Sequence, residues 1–418
     1  MRVAVLCALF VVALTLPAIT ANSPAAKPEE VGLSSERLQH ITKMIERRIA
    51  TGQLAGAVTI VGRRGKVVHH VAQGVMDRDS KQPMAAGSMF RIASMTKPVI
   101  GVAVMMLVEE SKIHLNDPVA RYIPEFRDMK VAMPLPAGPG APPAPAEGAP
   151  RFYTVPAQRA ITIKDLLTHT SGLGSGPMST SEIEKVARKD GETLADYIPR
   201  LGRTALEFQP GSRWAYSPGA GFETLGRVIE IASGERLDRF FRTRIFDPLG
   251  MKDITFWPTE AQWPRVATVY GRGPNGLTKA VMPNDTLSRN VYFRGSGGLY
   301  STAEDYIPLG LMLANGGELN GKRLLSRKTV EMMSAVHAPD TLPGLPAGQG
   351  YGLSVRVVTN HAARNTMLSD GTYGWTGAQG THFFVDPKEG LVGVLMVQTS
   401  EGELQREFED LVAQSVVD

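Results

Sequence analysis

The order of strand and helix signals along the 418 residues predicts an α+β fold: an antiparallel sheet flanked by helices, with a mostly helical second lobe. Three observations carry this. Runs rich in β-branched residues and bounded by turn residues lie near both ends of the chain. Residues 116–285 show mostly helical periodicity and few strand signals. Between the first strands and that middle, residues 98–108 are apolar on every face, so a helix there must be buried. The simplest packing joins the two ends into one sheet. It gives an α/β lobe of residues 22–115 and 286–418, a helical lobe of 116–285, and a cleft between them where a site would lie.

Met1-Arg2, the apolar run of residues 3–16, and Pro17 with small residues up to Ala21 have the form of a signal peptide over residues 1–21. The run is too short to span a bilayer. Its removal implies a periplasmic or secreted protein, and the only cysteine, Cys7, would leave with it. The mature chain would then have no disulfide, thiol nucleophile or cysteine-bound metal. Residues 31–50 read as a helix capped by Ser34 or Ser35, with Leu38, Ile41, Met44 and Ile45 inward. Residues 56–62 and 66–71 read as a strand pair turned by Arg63-Arg64-Gly65. The apolar helix at Ser94 follows. The Pro/Ala/Gly-rich insertion at 134–150 reads either as a mobile cover over a site or as a tolerated surface insertion. A capping box from Thr162 to Asp165 opens a helix that Gly172 ends. Residues 222–233 form a helix with Leu225, Val228 and Ile229 inward and Gly234 stopping it. A second capping box, Ser301 to Glu304, opens a helix to about Asn315. Residues 381–386 and 391–397 are strands, and 402–416 close the chain as a helix.

A formal charge of +4 without any dense Lys/Arg block argues against a nucleic-acid partner. No segment after the signal could span a membrane stably. No residues have zinc-ligand spacing: no His-x-x-x-His pair comes with a glutamate, and His69 and His70 would face opposite sides of a strand. The chemistry points instead to Ser94-Met-Thr-Lys97, the one Ser-x-x-Lys in the chain. A serine hydroxyl needs a base beside it, and residues three apart on a helix share a face. The helix N-terminus would offer free N–H groups where an oxyanion forms. The bland reading is a surface lysine after a helix cap, but a lysine is costly to bury without a role. Tyr216, in Trp214-Ala-Tyr-Ser-Pro218, is either a half-buried core tyrosine or a proton carrier reaching into a cleft. His169, in Leu166-Leu-Thr-His-Thr-Ser-Gly-Leu173, reads as a packed, hydrogen-bonded histidine. Gly295-Ser-Gly-Gly298 should bring backbone close to another group. The glycines of Tyr373-Gly-Trp375-Thr-Gly377-Ala378 would let a strand edge approach a substrate.

Taken in order, Ser-x-x-Lys, Leu-Leu-Thr-His-Thr-Ser-Gly-Leu, Tyr-Ser, Gly-Ser-Gly-Gly-Leu-Tyr-Ser-Thr-Ala-Glu-Asp and Trp-x-Gly resemble the serine hydrolases of the class C β-lactamase and penicillin-binding type. Within them the chain looks most like the family VIII carboxylesterases, over roughly residues 30–400. The resemblance implies a β-lactamase/transpeptidase-like fold and no metal or cofactor. It implies that Ser94 is acylated, that Lys97 helps deprotonate it, and that Tyr216 shares the base role and returns a proton to the leaving alcohol. The oxyanion hole would be the N–H groups of Ser94 and Ala378, with Trp375 and Gly377 binding a small-molecule ester. Two departures matter. Pro218 stands where the β-lactamases have asparagine, and Trp375 where they have lysine. Loss of an amide-binding and a carboxylate-binding group favours short- to medium-chain esters. The alternatives are a β-lactamase, a D-alanyl-D-alanine carboxypeptidase-like hydrolase, an acyltransferase, or a non-catalytic penicillin-recognising protein.

Overall fold

Eight strands form one wholly antiparallel sheet whose two halves come from opposite ends of the chain. The computed structural model describes residues 26–135, 150–274, 276–282 and 289–418. The expected signal at 1–21 and most of the 134–150 insertion lie outside these residues. The strands are β1 (Gly56–Arg63), β2 (Lys66–Asp77), β3 (Gln82–Pro83), β4 (Gln349–Tyr351), β5 (Arg356–Val358), β6 (Tyr373–Thr376), β7 (His382–Asp386) and β8 (Leu391–Met396), in the spatial order β4-β5-β6-β7-β8-β1-β2-β3. The first strand of the chain therefore pairs with the last, Val58 opposite Met396.

Strand periodicity divides the core. On β1, β7 and β8, Val58, Ile60, Phe383, Val385, Val392 and Val394 face one hydrophobic layer, and Ala57, Val61, Phe384, Leu391 and Leu395 face the other. All of β1 is buried, which explains its continuous apolar run. Helix α1 (Ser35–Ala50), capped by Ser34, and the closing helix α6 (Leu404–Gln414) cover the second face with Leu38, Ile41, Ile45, Phe408 and Val412. On the first face, α5 (Ala303–Ala314) packs against β1, β7 and β8. Beside it runs α2 (Thr96–Glu109), with every residue from Thr96 to Leu107 buried. Helix α4 (Ala220–Ser233) packs on α2, and Gly234 ends it in the left-handed conformation at φ 74°. Among the described residues no helix is long and apolar enough to cross a membrane.

Several local expectations need correction. Arg63 is the last residue of β1 rather than part of the turn. Its buried guanidinium reaches the carbonyls of Val31 and Gly32 and ion-pairs with Glu389 and Asp418, each at 2.6 Å. The turn is Arg64-Gly65, with φ 51° and 79°, the two positive values a tight hairpin requires. The Thr162–Asp165 capping box is present, but its helix, α3 (Ile163–Leu167), ends before His169, which takes φ 57°. The cap of α5 is Thr302, whose hydroxyl accepts from the Asp305 N–H; the Ser301–Glu304 box does not form. The Asp305 carboxylate is occupied by the N–H groups of Lys252, Asp253 and Ile254 instead. The residues flanking the 134–150 insertion pair as a hairpin, Lys130–Pro134 with Phe152–Pro156.

Candidate active site

Ser94 lies in a single 3-10 turn, Ala93–Met95, that runs directly into α2. The turn is held on both sides. Tyr306 of α5 donates its hydroxyl to the Met95 carbonyl at 2.7 Å, and Thr96 Oγ1 accepts from the Leu299 N–H at 3.2 Å. Ala93, immediately before Ser94, takes φ 44°. A residue with a Cβ in that region costs about 1–3 kcal/mol, a strain the surrounding bonds must hold. Three residues on, Lys97 is fully buried, as its wholly apolar helix requires.

Lys97 Nζ makes three contacts: Ser94 Oγ at 3.1 Å, the Pro218 carbonyl at 3.0 Å and the Ser296 carbonyl at 2.7 Å. Burial disfavours its charged form and lowers its pKa to about 7, with Glu223 opposing the fall and Arg294 adding to it. A neutral amine has two N–H groups and one lone pair. The two carbonyls match the donors, so the lone pair is left facing Ser94 Oγ. From the other side the Tyr216 hydroxyl is 2.6 Å from Ser94 Oγ. Burial pushes the Tyr216 pKa up, while its contacts with Ser94 and Trp375 pull it back. The phenol therefore rests protonated, and the lysine is the better resting base.

Two glycines permit these approaches. A Cβ on Gly295 would lie 2.8 Å from the Phe222 carbonyl, so only glycine lets the 295–298 loop press on α4 and aim the Ser296 carbonyl at Lys97. A Cβ on Gly377 would lie 2.4 Å from the Ile92 carbonyl, so glycine there lets the end of β6 lie against the Ser94 turn. Glycine at 377 thus serves packing within the protein, and the same residue lines a cavity at Ser94. His169 is buried, accepts from the Ser217 N–H at 3.1 Å and packs on the rings of Tyr216, Tyr351 and Trp375. Burial and the Lys97 charge hold its pKa well below the ordinary value, so it is a neutral wedge behind Tyr216.

Two cavities meet at Ser94 and Ala378, which line both. The larger, about 590 Å³, has walls of Trp257, Trp263, Tyr292 and Tyr300 and includes Pro218. The smaller, about 460 Å³, is lined by Tyr216, Trp375 and Gly377. Among the described residues the Ala378 N–H has no protein acceptor. The smaller cavity also contains a cation that the motifs did not reveal: Arg356 of β5, held at 2.5 Å by the buried Glu409.

Glu223 is the site residue most completely missed. It stands in the first turn of α4, where no sequence motif singles it out. It is in fact buried, and its carboxylate accepts from the hydroxyls of Tyr292 and Ser296, the latter at 2.5 Å. Through Ser296 it fixes the carbonyl that holds Lys97. The charged groups acting on that amine are Glu223 and Arg294. Glu223→Gln removes the one that favours the ammonium. The acid limb of the kcat/KM profile should therefore move to lower pH, by roughly half a unit. Activity lost at every pH with the limb unmoved would mean that Glu223 only shapes the loop.

A family model described as Beta-lactamase matches residues 41–417. Esterase EstB of Burkholderia gladioli is 31% identical over 382 residues, covering 85% of this chain and 89% of that protein. A putative D-alanyl-D-alanine carboxypeptidase of Escherichia coli (strain K12) is 27% identical over 422 residues, covering 92% and 89%. The solved structure of EstCE1, a hydrolase with promiscuous acyltransferase activity, superposes with a TM-score of 0.74 at 25% identity, covering 91% of this chain and 98% of that one.

Proposed function

The chain belongs to the Beta-lactamase family of serine hydrolases, and on that premise we propose that it is a carboxylesterase acting on short- to medium-chain esters through an acyl-Ser94 intermediate. The observation that carries this reading is Ser94 Oγ held between Lys97 Nζ at 3.1 Å and Tyr216 Oη at 2.6 Å. In the proposed sequence Ser94 gives its proton to the Lys97 amine as Oγ attacks the ester carbon. The oxyanion is stabilised by the N–H groups of Ser94 and Ala378. As the C–O bond to the alcohol breaks, Tyr216 protonates the leaving oxygen. The phenolate so formed is stabilised by the Lys97 ammonium, whose nitrogen sits 5.1 Å from the ring centroid in the resting protein. The phenolate then takes a proton from water, and the hydroxide attacks the acyl-serine. Ser94 recovers its proton from Lys97, and the free acid leaves. One water is consumed and both bases return to their starting state.

The preference for esters rests on Trp375 and Pro218. β-Lactams and D-alanyl peptides carry a carboxylate beside the reacting carbonyl, and an indole offers it no positive charge. Arg356 lies in the same cavity, but its guanidinium is committed to Glu409. Steady-state turnover of 4-nitrophenyl butyrate should therefore greatly exceed that of nitrocefin. Trp375→Lys should raise the nitrocefin-to-butyrate ratio of kcat/KM by about ten- to hundredfold, the equivalent of a charge-assisted hydrogen bond of about 1.5–3 kcal/mol. Preferential turnover of nitrocefin by the wild type would favour the β-lactamase alternative. An unchanged ratio in a folded variant would remove Trp375 from the substrate site.

A further inference from the structure

The larger cavity at Ser94 has an unusual charge distribution. Three arginines, Arg91, Arg289 and Arg294, line it beside the aromatic wall, and among the described residues no acid does. Glu223 lies behind the wall, accepts from Tyr292 and Ser296, and is 3.6 Å from Arg294. Arg91 is half-buried and lies over the ring of Tyr300, its guanidinium carbon 4.7 Å from the centroid. Among the described residues neither Arg91 nor Arg289 has a carboxylate partner. Three buried or half-buried arginines elsewhere are paired: Arg48 with Glu401 and Glu407, Arg63 with Glu389 and Asp418, Arg356 with Glu409. Leaving half-buried Arg91 without an anion along an apolar wall is costly unless an anion arrives with the ligand, and exposed Arg289 lines the same cavity.

Resting on the esterase reading above, we propose that the substrate is amphiphilic: an ester whose apolar chain lies along this wall and ends in a carboxylate received by Arg91 and Arg289. The guanidinium fork suits a carboxylate bidentately, and the indole rings of Trp257 and Trp263 suit the methylene chain. This agrees with the loss of lysine at Trp375. The carboxylate is recognised at the far end of the substrate, through the larger cavity, and not beside the reacting carbonyl.

The test compares mono-4-nitrophenyl adipate, anionic on the acyl side, with 4-nitrophenyl hexanoate, and 6-(butyryloxy)hexanoate, anionic on the alcohol side, with hexyl butyrate. At low salt the anionic member of at least one pair should be favoured about tenfold in kcat/KM. Arg91→Gln and Arg289→Gln should each cut that preference severalfold, and 0.5 M NaCl should weaken it. Should Arg91→Gln fail to fold, Arg289→Gln at the surface still decides. If neither anionic ester is preferred, or the preference survives both substitutions, the inference is overturned while turnover of the neutral esters upholds the esterase reading. If no ester is turned over, the esterase reading fails. Calorimetry of adipate with the Ser94→Ala protein then decides the subsite alone: binding lost on adding Arg289→Gln supports it, and no binding overturns it.

Discussion

Ser94→Ala is expected to abolish ester hydrolysis and leave the fold intact. The hydroxyl is the only atom removed. It is half-buried at the meeting point of two cavities, so little packing is lost with it. Without Oγ no acyl-enzyme can form, and the remaining groups can only orient water. The fall in kcat should therefore be the largest of any single substitution, several orders of magnitude on the scale of lost nucleophiles. The circular dichroism spectrum and melting temperature should match the wild type closely. Mass spectrometry after treatment with a phosphonate ester should place the adduct on Ser94. An adduct on another serine, or substantial turnover by the variant, would refute the assignment.

Lys97→Ala and Tyr216→Phe should each lower kcat by at least about a hundredfold, the scale for loss of a general acid or base. The pH profile separates their roles. Attack needs the neutral amine, which predominates above a pKa of about 7. In the wild type kcat/KM should therefore rise about tenfold per pH unit below 7 and level off above it. Lys97→Ala should lose this limb together with the activity. Tyr216→Phe should keep it, because its phenol is held protonated in the resting state by burial. A limb that vanished with Tyr216→Phe and survived Lys97→Ala would reverse the assignment of the base. The lysine variant leaves the carbonyls of Pro218 and Ser296 without their donor, at a cost of about 1–3 kcal/mol each, so its folded state should be checked by melting.

Much of this molecule is legible without coordinates because its signals are local. Apolar residues around every face of 98–108 require a buried helix, and burial of that helix takes Lys97 with it. The strands β7 and β8, the Ser34 cap and the Gly234 stop follow from backbone sterics and short-range hydrogen bonds that neighbouring residues settle among themselves. Ser94 and Lys97 come together for the same reason, since three positions along a helical turn bring two side chains to one face.

The remainder depends on partners far apart in sequence. Tyr216 is 122 residues from Ser94, and only the packing of α4 on α2 brings their hydroxyls to 2.6 Å. Arg63 looked like a turn residue because nothing nearby reveals Glu389 or Asp418. Glu223 carries no mark in the sequence because Ser296 and Tyr292 reach it from a loop about seventy residues on, at separations of 73 and 69. By itself the sequence determined the pairing of Ser94 with Lys97 and the buried helix they open, because these need only helical geometry and the cost of wetting apolar surface. The tertiary structure alone decided which acid acts on that lysine, which cation shares the cavity with Trp375, and where three arginines come together along one cavity. A charge acts through space, and the chain order of residues does not record which charges end up close in a fold.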